Sequence, residues 1–240
     1  MFLLRVLCLY AMTVTASYAQ SVWIDYQWSV APAQEKRFVS AVTEFMSSET
    51  FESFPGKILF NASIVNGSSP ATHSFAVIYP NVAAMEANNT RLVGNQDWNR
   101  FRAALDSAGD SVGETLYTHV AGFGTQDDDQ RSWVGQVLQV RNPANYMRDL
   151  SNMMKTDTMQ AVPGSIDIWQ VVAGGTPGAT HVAVFGYKSF TAGTDFLTSS
   201  SQNPEFVSDM MALGKSRSVL GSLWTQTVAE FGPMSMNDIR

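Results

Sequence analysis

The sequence predicts an α+β fold made of two ferredoxin-like βαββαβ units, and three observations carry that expectation. The chain repeats itself: Pro55-Gly56-Lys57-Ile58 returns as Pro163-Gly164-Ser165-Ile166, and Ala71-Thr72-His73 returns as Ala179-Thr180-His181, both 108 positions later. Sliding residues 54–124 over 162–232 without a gap gives 18 identities in 71 positions, where average composition would give about one in sixteen. Within each copy the hydrophobic period switches between 2 and 3.6, as it does where strands and helices alternate. A four-stranded sheet with helices on one face also leaves its other face bare, and a second copy in the same chain can cover it.

Each element follows from local chemistry. Val22, Ile24, Tyr26, Trp28 and Val30 alternate with Trp23, Asp25, Gln27 and Ser29, which predicts the first strand. Pro32 suits the first turn of a helix, and Phe38, Val42, Phe45 and Met46 continue at helical spacing. The second copy makes this start explicit. Asn142 is the cap, Pro143 the first turn, and Tyr146, Met147, Leu150, Met153 and Met154 form the stripe. Pro55-Gly56 breaks the chain before a second strand, 57–65. Asn66-Gly67-Ser68-Ser69-Pro70 then turns it back into a third, 71–79, so the two form a hairpin. A helical stretch follows, strongest after Asn95, with Trp98, Phe101 and Leu105 on one face; its counterpart starts at Asn203-Pro204 and carries Phe206, Met210 and Leu213. A fourth strand, 114–123, closes the unit. The connector at 125–131 holds Asp127-Asp128-Asp129, which lack the alternating ligand spacing of a calcium loop and read as a solvated linker.

Residues 1–19 are expected to be a signal peptide. Arg5 precedes a short apolar run, and Ser17-Tyr18-Ala19 places small residues at −3 and −1 of a cleavage site. The run is too short to span a bilayer. The expected organisation is therefore signal peptide 1–19, repeat one 20–124, linker 125–131 and repeat two 132–240, in a protein that is periplasmic or secreted. No later stretch is long and apolar enough for a membrane span after cleavage. The single cysteine, Cys8, falls in the leader, which excludes disulfides, thiolate zinc sites and cysteine nucleophiles from the mature chain. Fifteen Lys+Arg against 21 Asp+Glu, without a basic cluster, argue against nucleic acid as a partner. Because the duplication replaces a dimer, a monomer is expected to suffice.

The element order and the tandem duplication resemble the dimeric α/β-barrel superfamily, which includes antibiotic-monooxygenase-like, EthD-like and NIPSNAP-like proteins. The resemblance spans nearly the whole mature chain and rests on no catalytic signature. It implies two units packed sheet to sheet as a pseudo-dimeric α/β barrel around a shared cavity. Members of that superfamily perform cofactor-free oxygenation, haem chemistry, isomerisation or plain ligand binding, so fold alone does not choose among them.

Candidate site residues come from the repeat. His73 and His181 hold equivalent positions, and on a strand they share a face with Tyr79 and Tyr187, respectively. That face is expected to line the barrel interior, with the histidines as catalytic candidates. The competing expectation is that Ala-Thr-His is a strand-entry sequence whose imidazole serves the backbone. Pairing the first and third strands so that Trp23 faces Tyr79 sets Ser29 opposite His73; the same register sets Trp133 opposite Tyr187 and Gln139 opposite His181. The cavity would then have aromatic and polar ends, with Trp23, Trp133, Tyr79, Tyr187, Ser29, Gln139 and the unmatched His119 as ligand contacts. Asp25 and Asp167 can face inward, but no carboxylate pair has a diagnostic spacing. No metal site is expected.

Three functions remain open at this level. One is a small-molecule-binding protein, or a cofactor-independent enzyme, that uses the barrel cavity for an apolar or aromatic ligand. Another is a non-catalytic structural or partner-binding module. The third is a haem protein, which needs His73 or His181 accessible above an apolar slot.

Overall fold

The computed structural model describes residues 20–240; the expected leader, 1–19, lies outside the described residues. The first half runs β1 (Val22–Ser29), α1 (Glu35–Met46), α2 (Glu49–Glu52), β2 (Lys57–Val65), β3 (His73–Tyr79), α3 (Val82–Leu92), α4 (Gln96–Asp106) and β4 (Asp110–Gly124). The second runs β5 (Ser132–Val140), α5 (Pro143–Met153), α6 (Asp157–Gln160), β6 (Gly164–Gly174), β7 (His181–Tyr187), α7 (Phe190–Ser201), α8 (Pro204–Ser216) and β8 (Arg217–Phe231). The helical stretch expected after the third strand is two helices. Gly94 adopts φ 72°, which ends α3, and the Asn95 side chain accepts the Trp98 N–H to start α4.

All eight strands close into one antiparallel barrel in the order β1-β3-β2-β8-β5-β7-β6-β4. The halves join edge to edge, β2 to β8 and β4 to β6, so no sheet edge is left free. β4 and β8 reach 15 residues each because each serves both halves. The early part of β4 pairs with β1 and the later part with β6, while β8 does the same with β5 and β2. This double pairing is why β4 exceeds the span expected from its own repeat.

The register corrects the sequence expectation. Val22 lies opposite Tyr79 and Trp28 opposite His73, while Ser132 faces Tyr187 and Leu138 faces His181. Each pairing is one residue away from the expected one, and a one-residue slip turns every side chain to the other face. His73, Phe75, Val77 and Tyr79 therefore point at the helices, and Ser74, Ala76 and Ile78 point into the barrel. Both faces of these strands are apolar, so alternation marks a strand without saying which face is inside. On β3 the aromatic rings go to the helix side. The helix layer takes Phe38, Phe60, Phe75 and Phe101, and the converging inner faces take the smaller residues of β3.

Candidate functional site

A cavity of about 520 Å³ occupies the barrel interior, within the range of small-molecule sites. Its aromatic part is built by Trp23, Tyr117, Trp133 and Trp169. Trp23 stacks on Tyr117 at 4.4 Å between ring centroids and meets Trp169 edge-on at 5.6 Å. β1 places Asp25 and Gln27 on the same face as Trp23, since residues two apart on a strand share a side. β2 and β3 add Asn61, Ser63 and Ser74, so the polar groups concentrate in the first half. The second half offers fewer, chiefly Asp167 and Thr225, among the apolar Gly135, Val137, Val171, Val182 and Val184.

Two features of this wall are chemically unusual. Asp25 is 7% exposed, and burial pushes its carboxyl up to about 6, a rise that the Gln27 amide moderates by donating to Oδ2 at 2.7 Å. Nearby, the Trp23 indole N–H is buried and has no hydrogen-bond partner among the described residues. A carboxyl raised towards neutrality and an unpartnered indole N–H thus belong to one wall of the cavity. Burial, and after it the Asp25 charge, raise the Tyr117 phenol above its usual range, so Tyr117 stays protonated.

The candidates named from sequence divide. Trp23 and Trp133 line the cavity. His119 is buried, and its Nε2 lies 3.0 Å from Asp167 Oδ1, with its ring edge-on to Trp169. Ser29 ends β1 opposite Asp110, and Gln139 is exposed opposite Ser218; neither belongs to the lining. Tyr79 lies under the helices, where its hydroxyl accepts from Asn88 at 3.0 Å, and Tyr187 packs towards Phe196 and Trp224.

His73 and His181 are outside the barrel interior as well. Each Nδ1 lies 2.9 Å from the preceding threonine hydroxyl, and that hydroxyl accepts the N–H of Val30 or Val140 at the exit from β1 or β5. His73 stacks on Phe60 with ring centroids 5.5 Å apart. The repeated Ala-Thr-His is thus the strand-entry device, docking the end of one strand onto the start of another. Linker residue Gln126 also lines the cavity, and Asp128 accepts hydrogen bonds from Ser235 and Met236, so 125–131 is more than a solvated tether.

Among solved structures, a proposed monooxygenase of Fusobacterium nucleatum subsp. nucleatum is similar, with 13% identity over 91% of this chain and 98% of its own and a TM-score of 0.61. An anthrone oxidase-like protein aligns at 10% identity over 94% and 97%, with a TM-score of 0.59. A proposed chlorite dismutase aligns at 10% identity over 88% and 96%, with a TM-score of 0.53. The fold is the dimeric α/β barrel. Identities this low speak for architecture, and no protein-family model or curated protein sequence matches the chain.

A histidine-ligated haem needs an imidazole facing a cavity. Neither the interior cavity nor a second one of about 440 Å³, between the first half's strands and helices, counts a histidine in its lining. His73 and His181 are wedged among core side chains, and His119 already meets Asp167. These residues do not fit a histidine-ligated haem in either cavity. Among the described residues there is also no group of three His, Cys, Asp or Glu placed to hold a metal ion.

Proposed function

We propose that the barrel binds a small aromatic molecule bearing an oxygen, and that Asp25 moves a proton on it without a cofactor. The observation that carries this reading is the buried carboxyl, held near 6, beside the unpartnered Trp23 indole N–H. An ionised Asp25 accepts a proton from a phenol O–H or from a C–H next to a carbonyl. The electron pair left behind settles on the ligand oxygen, where the Trp23 N–H donates to it. A fixed donor beside developing charge is an effective stabiliser. Trp169, Tyr117 and Trp133 supply the apolar contact.

In this reading the barrel is two ferredoxin-like repeats, 20–124 and 132–240, from a tandem duplication, with the second half supplying the less polar wall. The signal-peptide reading of 1–19 supports an exported protein that works as a single chain. Among the described residues no helix is long and apolar enough to cross a membrane.

The test pairs binding with proton transfer. Titrating 2-naphthol against tryptophan fluorescence reads binding, and deuterium exchange into an enolisable aryl ketone, followed by NMR, reads turnover. Asp25→Asn should slow exchange by about a hundredfold or more while 2-naphthol affinity stays within about threefold. Exchange in the unaltered protein should rise with pH through about 6. Binding without any accelerated exchange would favour a non-catalytic carrier, and no binding would remove the ligand cavity altogether.

A further inference from the structure

We infer that the segment after β8, residues 233–240, is the floor of the cavity and sets the length of ligand the barrel accepts; this rests on the ligand-binding reading above. The barrel wall is a closed hydrogen-bonded ladder, so its girth is fixed by strand number and register. The floor is not part of that ladder. Met236 and Ile239 are 3% and 2% exposed, line the cavity, and pack with Ile78, Tyr117 and Trp169 of the wall.

Three devices hold the segment in place. Ser235 and Asp238 cap each other across the single turn Met236–Ile239. Asp128 of the linker accepts from the Ser235 hydroxyl and from the Met236 N–H, both at 2.8 Å. Arg240 donates from Nε to Asp167 Oδ1 at 3.0 Å and from Nη2 to Oδ2 at 3.2 Å, and it also reaches the Phe123 and Gly124 carbonyls at 2.8 Å. The wall is cut for this guanidinium. A Cβ on Gly122 would come within 2.2 Å of Arg240 Nε, and the repeat-related position carries Glu230 instead. A packed floor held by polar latches is separable from the wall, so its two apolar side chains decide depth.

The experiment compares 2-naphthol with the longer 4-hydroxy-p-terphenyl by tryptophan fluorescence. The unaltered protein should bind the long probe at least about tenfold more weakly than the short one. Ile239→Ala deepens the floor and Arg240→Ala releases its latch. Either should bring the two affinities within about threefold of each other, chiefly by tightening the long probe. Thermal melts confirm that each variant is folded, and Arg240→Ala, which lies behind the lining residue Asp167 rather than in the lining itself, covers the case in which Ile239→Ala unfolds. A folded variant with unimproved affinity for the long probe would overturn the floor assignment alone. Failure of 2-naphthol to bind the unaltered protein would overturn the ligand cavity and this inference with it.

Discussion

Trp23 and Trp133 occupy equivalent places in the two halves, yet their indole N–H groups meet opposite fates. Trp133 donates to the Thr227 hydroxyl at 2.8 Å, and Thr227 in turn donates to Asn61 at 2.8 Å. The repeat puts His119 where that chain has Thr227 and Trp169 where it has Asn61. His119 turns to Asp167, Trp169 offers no acceptor, and the Trp23 N–H is left alone. The same split runs up the wall, where Asp25, Gln27 and Ser74 face Gly135, Val137 and Val182 across the pseudo-symmetry. An unmade buried hydrogen bond costs about 1–3 kcal/mol, and a buried carboxylate costs more. The second half carries costs of its own, an unpartnered Tyr187 hydroxyl and the buried Asp167, but Asp167 is paired with Arg240 and His119 whereas the Asp25 carboxyl meets only the Gln27 amide. The lesson is that the site is read from the differences between the halves, not from their likeness.

The comparison is broken most severely by planting the first half's carboxylate in the second. Gly135→Asp places an acid against Leu223, whose nearest atom lies 3.4 Å from the new Cβ, with Val137 where the first half has Gln27. A carboxyl without a donor in such a site rises by several pKa units, which is roughly 4 kcal/mol or more against the ionised form. Urea unfolding at pH 8 should show that loss, and the loss should shrink below pH 4, where the acid is neutral. An equal loss at both pH values would point to crowding rather than charge.

Removing the charge where it naturally sits should do the reverse. The Asp25 carboxyl is held near 6 in the fold against an ordinary 3.8, so the folded protein binds that proton more tightly than the unfolded chain does. Stability is then highest with Asp25 protonated, falls as pH rises from about 4 through 6, and levels off above. Asp25→Asn escapes this fall. It should gain up to about 3 kcal/mol at pH 7.5 and nothing at pH 3.5, read from urea midpoints. A destabilised variant at pH 7.5 would mean that the carboxylate is paired, and that its role is structural.

Much of the fold was legible because repeats and periods are local. The second strand was placed at 57–65 and lies at Lys57–Val65, and Asn142 and Asn203 cap helices where the sequence put them. The site was less legible. The interior face could not be chosen from alternation, because Ala76 and Ile78 are as apolar as Phe75 and Val77. The Ala-Thr-His identity drew attention to His73 and His181 when it recorded a shared structural need. The better signal was Asp25 between Trp23 and Gln27, a lone charge in a strand otherwise built for a core. The floor was beyond reach, since nothing local announces that Met236 and Ile239 return to the barrel.

The smallest expected effect separates the two kinds of polar group, those serving the ligand and those serving the fold. Burial lowers the pKa of both His73 and His181 below the ordinary 6.5. The folded protein therefore binds these protons less tightly than the unfolded chain. Their contribution is fully present above pH 6.5 and is lost as pH falls through the lowered values. In the double variant His73→Phe with His181→Phe, the rings stay in contact with Phe60 and Tyr146 and nothing titrates. The acid limb of the stability curve should become shallower below pH 6.5. Because neither histidine belongs to the cavity lining, 2-naphthol affinity should remain within about threefold. A folded double variant that no longer binds the probe would place the histidines back in the site, and the even division between an active half and a structural motif shared by both would fail.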